Sequence, residues 1–173
     1  MTPQLPTFQI TPRHKNLIYP AGHGYSWRNN PLPQYGIVLH STNGKLNGHF
    51  SNENNFLYTS PKVSAHYLIS KSGIIVEHLP FRYCAWHAGN TNNVHYSNNN
   101  SIGIECHFTP GEDKNMPALA AATRWLLEYL CATYHIYGVA MHRAVELPKG
   151  RKIDPSHLND SEFALLVHDL ATC

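Results

Sequence analysis

The run YGIVLHS (35–41) constrains the fold of this chain more than any other segment. Its apolar and β-branched residues read as a buried strand, which needs a sheet around it and elements covering that sheet. The remaining segments supply both. VSAHYLIS (63–70) and IIVEHLP (74–80) are two more strand-like runs, and Lys71-Ser72-Gly73 between them predicts a hairpin. SIGIECHF (101–108) predicts a further strand, with Ile102, Ile104 and Cys106 on one face and Gly103, Glu105 and His107 on the other. A short helix at 53–59 is stopped by Ser60-Pro61. From Pro117 to Tyr134 the spacing turns helical: Leu119, Ala122, Leu126 and Leu130 form one stripe, joined by Trp125 and Tyr129. VAMHR (139–143) reads as a short strand ending near His142. A second amphipathic helix over 160–171 presents Phe163, Leu166, Val167 and Leu170. This order predicts one α/β domain, a central mixed β-sheet flanked by helices, over residues 35–173. Residues 1–34, rich in Pro, Gly and polar groups, read as an irregular N-terminal arm packed on it.

Charge and composition exclude several classes. Thirteen Lys plus Arg stand against eleven Asp plus Glu, for a formal net charge of +2. No Lys/Arg cluster marks a nucleic-acid interface, and no apolar stretch reaches membrane-spanning length, so neither nucleic acid nor membrane is an expected partner. The N-terminal MTPQLPTFQITPRHK does not resemble a signal peptide. The expected location is therefore the cytoplasm, or release by lysis or a dedicated export route. Cys84, Cys106, Cys131 and Cys173 form no CxxC pair, which argues against a zinc ribbon or a thioredoxin-like motif. They read as small buried hydrophobes, with one bridge left open.

Thirteen histidines make any single one a weak clue. The pieces VLHST, MHRAV and RKIDPS nevertheless offer His40, His142 and Asp154, two imidazoles and a carboxylate suited to a divalent zinc ion. Zinc held by three protein ligands keeps a fourth position for water, which separates a reactive site from a closed structural one. Each residue also has a bland reading: a hydrogen-bonded strand-end His, or an Asp-Pro turn. Glu105 is a candidate base or a surface strand residue. Lys152 is a candidate oxyanion partner or a solvated lysine.

Taken in order, VLHST, VSAHYLI, AWHAG, SIGIE, MHRAV and RKIDP resemble the N-acetylmuramoyl-L-alanine amidase type 2 family. The resemblance runs from about residue 35 to 156 and is greatest to the bacterial recycling and periplasmic branch, where AWHAG and SIGIE occur together. It implies a zinc site in a cleft at strand ends, with His40, His142 and Asp154 as ligands. It also implies Glu105 as the group that activates water and Lys152 as the stabiliser of the oxyanion. The phage branch places a Tyr before the His of the second strand; Ala65 stands there, which favours Glu105 as the base. His66 is then a packing residue, and His87 lines the cleft or supports the ligands. Tyr83, Trp86 and Tyr96 could pack on a sugar or peptide, and the Asn-rich stretch 90–100 could hydrogen-bond substrate.

Two departures flank the ligands. Ser156 follows Asp154-Pro155 where the family has Gly, and ELPKG replaces the family's acidic residue after the second His. The implied reaction is hydrolysis of the amide between N-acetylmuramic acid and L-alanine in peptidoglycan or muropeptides. The sequence leaves the oligomeric state open, with a monomer expected. The alternative is a peptidoglycan-recognition module that binds without cleaving. Wall recycling, phage lysis and an exported toxin all suit this chemistry.

Overall fold

The computed structural model describes residues 8–12, 25–29, 31–42, 63–108, 111 and 115–170. The helix expected at 53–59 lies outside the described residues. In chain order the strands are β1 (Ile10–Pro12), β2 (Tyr25–Trp27), β3 (Tyr35–Ser41), β4 (Tyr67–Ile69), β5 (Ile75–Glu77), β6 (Tyr83–Ala85), β7 (Ser101–Cys106) and β8 (Ile136–Met141). The helices are α1 (Pro117–Thr133), α2 (His142–Val145) and α3 (Asp160–Val167).

Six strands form one mixed sheet in the order β1-β5-β4-β7-β3-β8, and β2 pairs with β6 in a separate ribbon. Strand β3 lies between β7 and the edge strand β8, both parallel to it. Strands β4 and β5 form the expected hairpin, antiparallel with Tyr67 opposite Glu77. Its turn needs Gly73, whose φ of +84° lies in the left-handed region that side chains disfavour.

The two faces of the sheet differ because side chains alternate along each strand. Ile37 and Leu39 of β3 and Ile102, Ile104 and Cys106 of β7 pack against Leu119, Ala122, Leu126, Leu127 and Leu130 of α1. Burying each such Leu or Ile stabilises the fold by about 1.5–3 kcal/mol, so this layer dominates the core. The α1 stripe is wider than the sequence suggested. Leu127 and Thr123 are also buried, the Thr123 hydroxyl donating to the Leu119 carbonyl at 2.7 Å, whereas Tyr129 is 41% exposed. Phe163, Leu166, Val167 and Leu170 line the half-buried side of α3 and its C-terminal end. A capping box starts α3: Asn159 accepts the Glu162 N–H at 2.8 Å and Glu162 accepts the Asn159 N–H at 2.7 Å.

The opposite face carries a smaller apolar cluster among the described residues, made by Val38, Ala140 and Val145 with Tyr96. Beside it, His87 lies so close to β7 that a Cβ on Gly103 would sit 2.6 Å from His87 Cγ. A glycine at 103 is what lets this imidazole approach the sheet.

The described residues before 35 include two short strands. These are β1 and β2, each three residues long, too short to leave a periodic signature. Arg28 ties the chain down after β2 by donating to the carbonyls of Phe81, Asn99 and Ser101 at 2.6, 2.5 and 2.7 Å. Cys84 and Cys106 are buried free thiols. Cys131 is disulfide-bonded, so its reading as a lone apolar thiol is corrected.

Candidate metal centre

The parallel strands β3, β7 and β8 end at one edge of the sheet, where crossovers leave a crevice. His40 is the penultimate residue of β3, and Glu105 is its register partner on β7. His142 follows β8 directly; it begins helix α2 rather than ending a strand as the sequence suggested. Asp154 enters from the loop before α3. Its backbone is held there because its carbonyl accepts the Arg143 N–H at 2.9 Å.

The three side chains converge and are buried. His40 Nδ1 and His142 Nδ1 lie 3.0 and 3.1 Å from the same oxygen, Asp154 Oδ2. One ligand atom from each residue falls within 4.8 Å of the others. Ligands on arms of about 2.0–2.1 Å around tetrahedral zinc sit roughly 3.3 Å apart, so this spacing suits a small cation.

Hydrogen-bond chemistry makes the fit sharper. His142 Nε2 lies 3.1 Å from the Ala88 carbonyl oxygen, while Nδ1 faces the carboxylate. Both neighbours only accept, and a neutral imidazole has one N–H to give. With the proton on Nε2, the lone pair of Nδ1 points at a carboxylate oxygen, an arrangement that a cation between them resolves. The donor set therefore fits a metal ion.

The local electrostatics point the same way. Burial would raise the Asp154 carboxyl, but the His142 and His40 imidazoles against it outweigh that and hold the group below the usual carboxylate range. Burial depresses the His40 imidazole despite the neighbouring Asp154 carboxylate. Glu105 behaves oppositely. Burial, and then the Asp154 charge, push its carboxyl up to about 8, against a downward pull from Lys152. Its Oε2 has no hydrogen-bond partner among the described residues.

A cleft of about 310 Å³ opens beside this group, lined by Val63, Trp86, His87, His142, Arg151 and Lys152 among others. His40, Asp154 and Glu105 lie behind that lining rather than on it. A larger apolar cavity of about 530 Å³ between α1 and α3 contains none of the metal group. Among the aromatic candidates, Trp86 lines the cleft. Tyr83 instead packs between Tyr25 and Trp27, and Tyr96 covers the sheet. His66 is buried scaffolding: its Nδ1 accepts the Gly103 N–H at 3.0 Å and its Nε2 faces the Tyr83 carbonyl at 3.1 Å.

A family model described as N-acetylmuramoyl-L-alanine amidase matches residues 30–157. The chain belongs to this amidase family. A curated relative, the 1,6-anhydro-N-acetylmuramyl-L-alanine amidase AmpD of Salmonella typhimurium, is 38% identical over 99 residues, which are 54% of this chain and 51% of that protein. The chain thus spans about half the length of that relative. Among solved structures, a selenomethionine derivative of AmpD aligns with TM-score 0.64 at 26% identity, covering 86% of this chain and 92% of the other. The amidase AmiD of E. coli, solved with anhydro-N-acetylmuramic acid-L-Ala-D-gamma-Glu-L-Lys, aligns with TM-score 0.61 at 26% identity, over 78% of this chain and 58% of its own.

The loop of this family member between His142 and Asp154 contains a carboxylate, Glu146, whose role its sequence context did not reveal. Glu146 is fully buried; its Oε1 accepts the Lys152 N–H at 2.5 Å and its Oε2 lies 3.4 Å from Arg151 Nε. A buried carboxylate so placed sets the path of the chain through Lys152 to Asp154. Glu146→Ala is expected to lower stability by about 1–3 kcal/mol by orphaning that N–H. Glu146→Gln, which keeps the acceptor, should recover most of it. Urea unfolding measures both, and an unchanged midpoint for the Ala variant would remove Glu146 from this role.

Proposed function

We propose that this chain hydrolyses the amide between the lactyl group of N-acetylmuramic acid and L-alanine, in peptidoglycan or its muropeptide fragments. His40, His142 and Asp154 would hold a zinc ion. One observation carries the reading: His142 sits between two acceptor-only groups beside the open cleft, a geometry that a cation completes. The printed activity of AmpD and the muropeptide bound to AmiD support the choice of substrate.

Zinc, when bound, polarises the scissile carbonyl and acidifies the attacking water. Glu105 takes the proton of that water at its carboxylate and delivers it to the departing amine of L-alanine. Burial is what suits it to both steps, since a solvated carboxylate is too weak a base to take the proton, whereas a carboxyl raised towards neutrality can take it and give it back. Lys152 places an ammonium beside the carbonyl oxygen as negative charge develops there; a donor so placed typically lowers the barrier by about 3 kcal/mol. The products are a lactyl carboxylate and a peptide with a free L-alanine amine.

Mass spectrometry of muropeptides, anhydro forms included, incubated with the protein and with or without chelator tests this. Release of a peptide beginning at L-alanine, lost with chelator and restored by zinc, is expected. Intact muropeptides in the presence of bound zinc would instead indicate a recognition module that binds without cleaving.

A further inference from the structure

The ring nitrogens of His40 and His142 that point away from Asp154 both end on one dipeptide. His40 Nε2 lies 3.0 Å from His87 Nδ1, and His142 Nε2 lies 3.1 Å from the Ala88 carbonyl. The direction of each bond can be worked out. The Ala88 oxygen only accepts, so His142 donates from Nε2. Ser101 donates its hydroxyl to the Ser97 carbonyl at 2.7 Å, which leaves its oxygen to accept from His87 Nε2 at 3.1 Å. His87 then has a bare Nδ1, and His40 donates to it from Nε2. Both ligand imidazoles are thus held in the tautomer that leaves Nδ1 free for a metal. An outer partner fixes ligand tautomer and orientation in this way at many metal centres.

The dipeptide is itself fixed by one atom. Asn98 Oδ1 accepts the N–H of His87 at 3.0 Å and that of Ala88 at 2.7 Å. Its neighbours in the Asn-rich turn do other work. Asn99 exchanges bonds with the Asn29 backbone at 2.9 and 2.8 Å, and Asn100 accepts the Leu32 N–H at 3.0 Å. We propose that Asn98 is the positioning residue of the metal centre: its amide oxygen sets the acceptors that orient both imidazole ligands. This rests on the zinc reading above.

Zinc binding to metal-free full-length protein, read by competition with a chromogenic chelator, tests the proposal without recourse to turnover. Asn98→Ala is expected to bind zinc about 10- to 100-fold more weakly, and Asn98→Asp, which keeps the acceptor oxygen, to stay within about threefold of the parent. Asn99→Ala, which loosens the same turn, should leave zinc affinity unchanged. His87→Phe, which removes the acceptor for His40 together with the bond to Ser101, should also weaken binding. Parent-like affinity in Asn98→Ala, equal losses in Asn98→Ala and Asn98→Asp, or loss of cooperative unfolding in metal-free Asn98→Ala would each overturn the proposal. If the parent protein itself takes up no zinc, the zinc reading fails and this inference falls with it.

Discussion

Asp154→Ala is expected to leave the protein folded, to strip it of zinc during dialysis, and to lower muropeptide turnover by at least about a thousandfold, equivalent to roughly 4 kcal/mol of barrier. Both imidazole Nδ1 atoms converge on Asp154 Oδ2, so removing that oxygen removes the one group they share. Two histidines are too few to hold catalytic zinc, which takes three protein ligands. The loop should nonetheless keep its path, because its ties are to backbone and to Ser41. Arg143 N–H donates to the Asp154 carbonyl at 2.9 Å, and Ser156 N–H donates to Ser41 Oγ at 2.9 Å. The measurements are zinc content after dialysis and peptide release by mass spectrometry. A variant that retains stoichiometric zinc would remove Asp154 from the ligand set. Loss of zinc with turnover intact would place the chemistry elsewhere. Muropeptide affinity that survives the substitution, in a protein that never cleaved, would mark a pure binder.

Much of the fold was legible because its central elements carry strong periodic signals. The apolar run 35–41, the alternation in 101–106 and the stripe of α1 each follow from side-chain geometry within one element. The boundaries were less legible. His142 looked like the end of a strand because VAMHR is apolar until it, yet the chain turns into α2 at that residue. Nothing local encodes that turn; contacts with Ala88 and Asp154 set it. The candidate ligands could be named from the resemblance, but their convergence is a long-range fact: His40 and Asp154 are 114 positions apart. The supporting residues were harder still. Asn98, Asn99 and Asn100 are chemically identical, and only their three-dimensional partners separate a clamp on residues 87–88 from clamps on residues 29 and 32. Glu146 was likewise indistinguishable from a solvated loop carboxylate until its burial was known.

Glu105→Gln is expected to slow hydrolysis by about 100- to 10,000-fold, the usual range for a lost general acid–base group. It should also change how the metal-free protein responds to pH, and this second effect isolates the carboxyl. Glu105 ionises at 4.5 in a solvated reference and at about 8 in the fold, chiefly through burial. Between those values the unfolded chain has released the proton while the folded chain keeps it. The folded state then binds more protons, so stability falls as pH rises through this window and levels off above about 8. Glutamine carries no such proton. The depressed imidazoles of His40 and His87 work in the opposite sense, since below 6.5 the unfolded chain is the one that holds the extra proton. They are common to both proteins, so the difference between the two stability profiles reports Glu105 together with its coupling to Asp154 and Lys152. The advantage of Glu105→Gln over the parent should therefore grow from pH 4.5 to about 8, measured by urea unfolding of chelated protein at a series of pH values. A difference that stays constant with pH would show that the Glu105 carboxyl ionises like a solvated one. Such a group would take a proton from water too weakly to pass it on, and the acid–base role would have to move to another residue of the cleft.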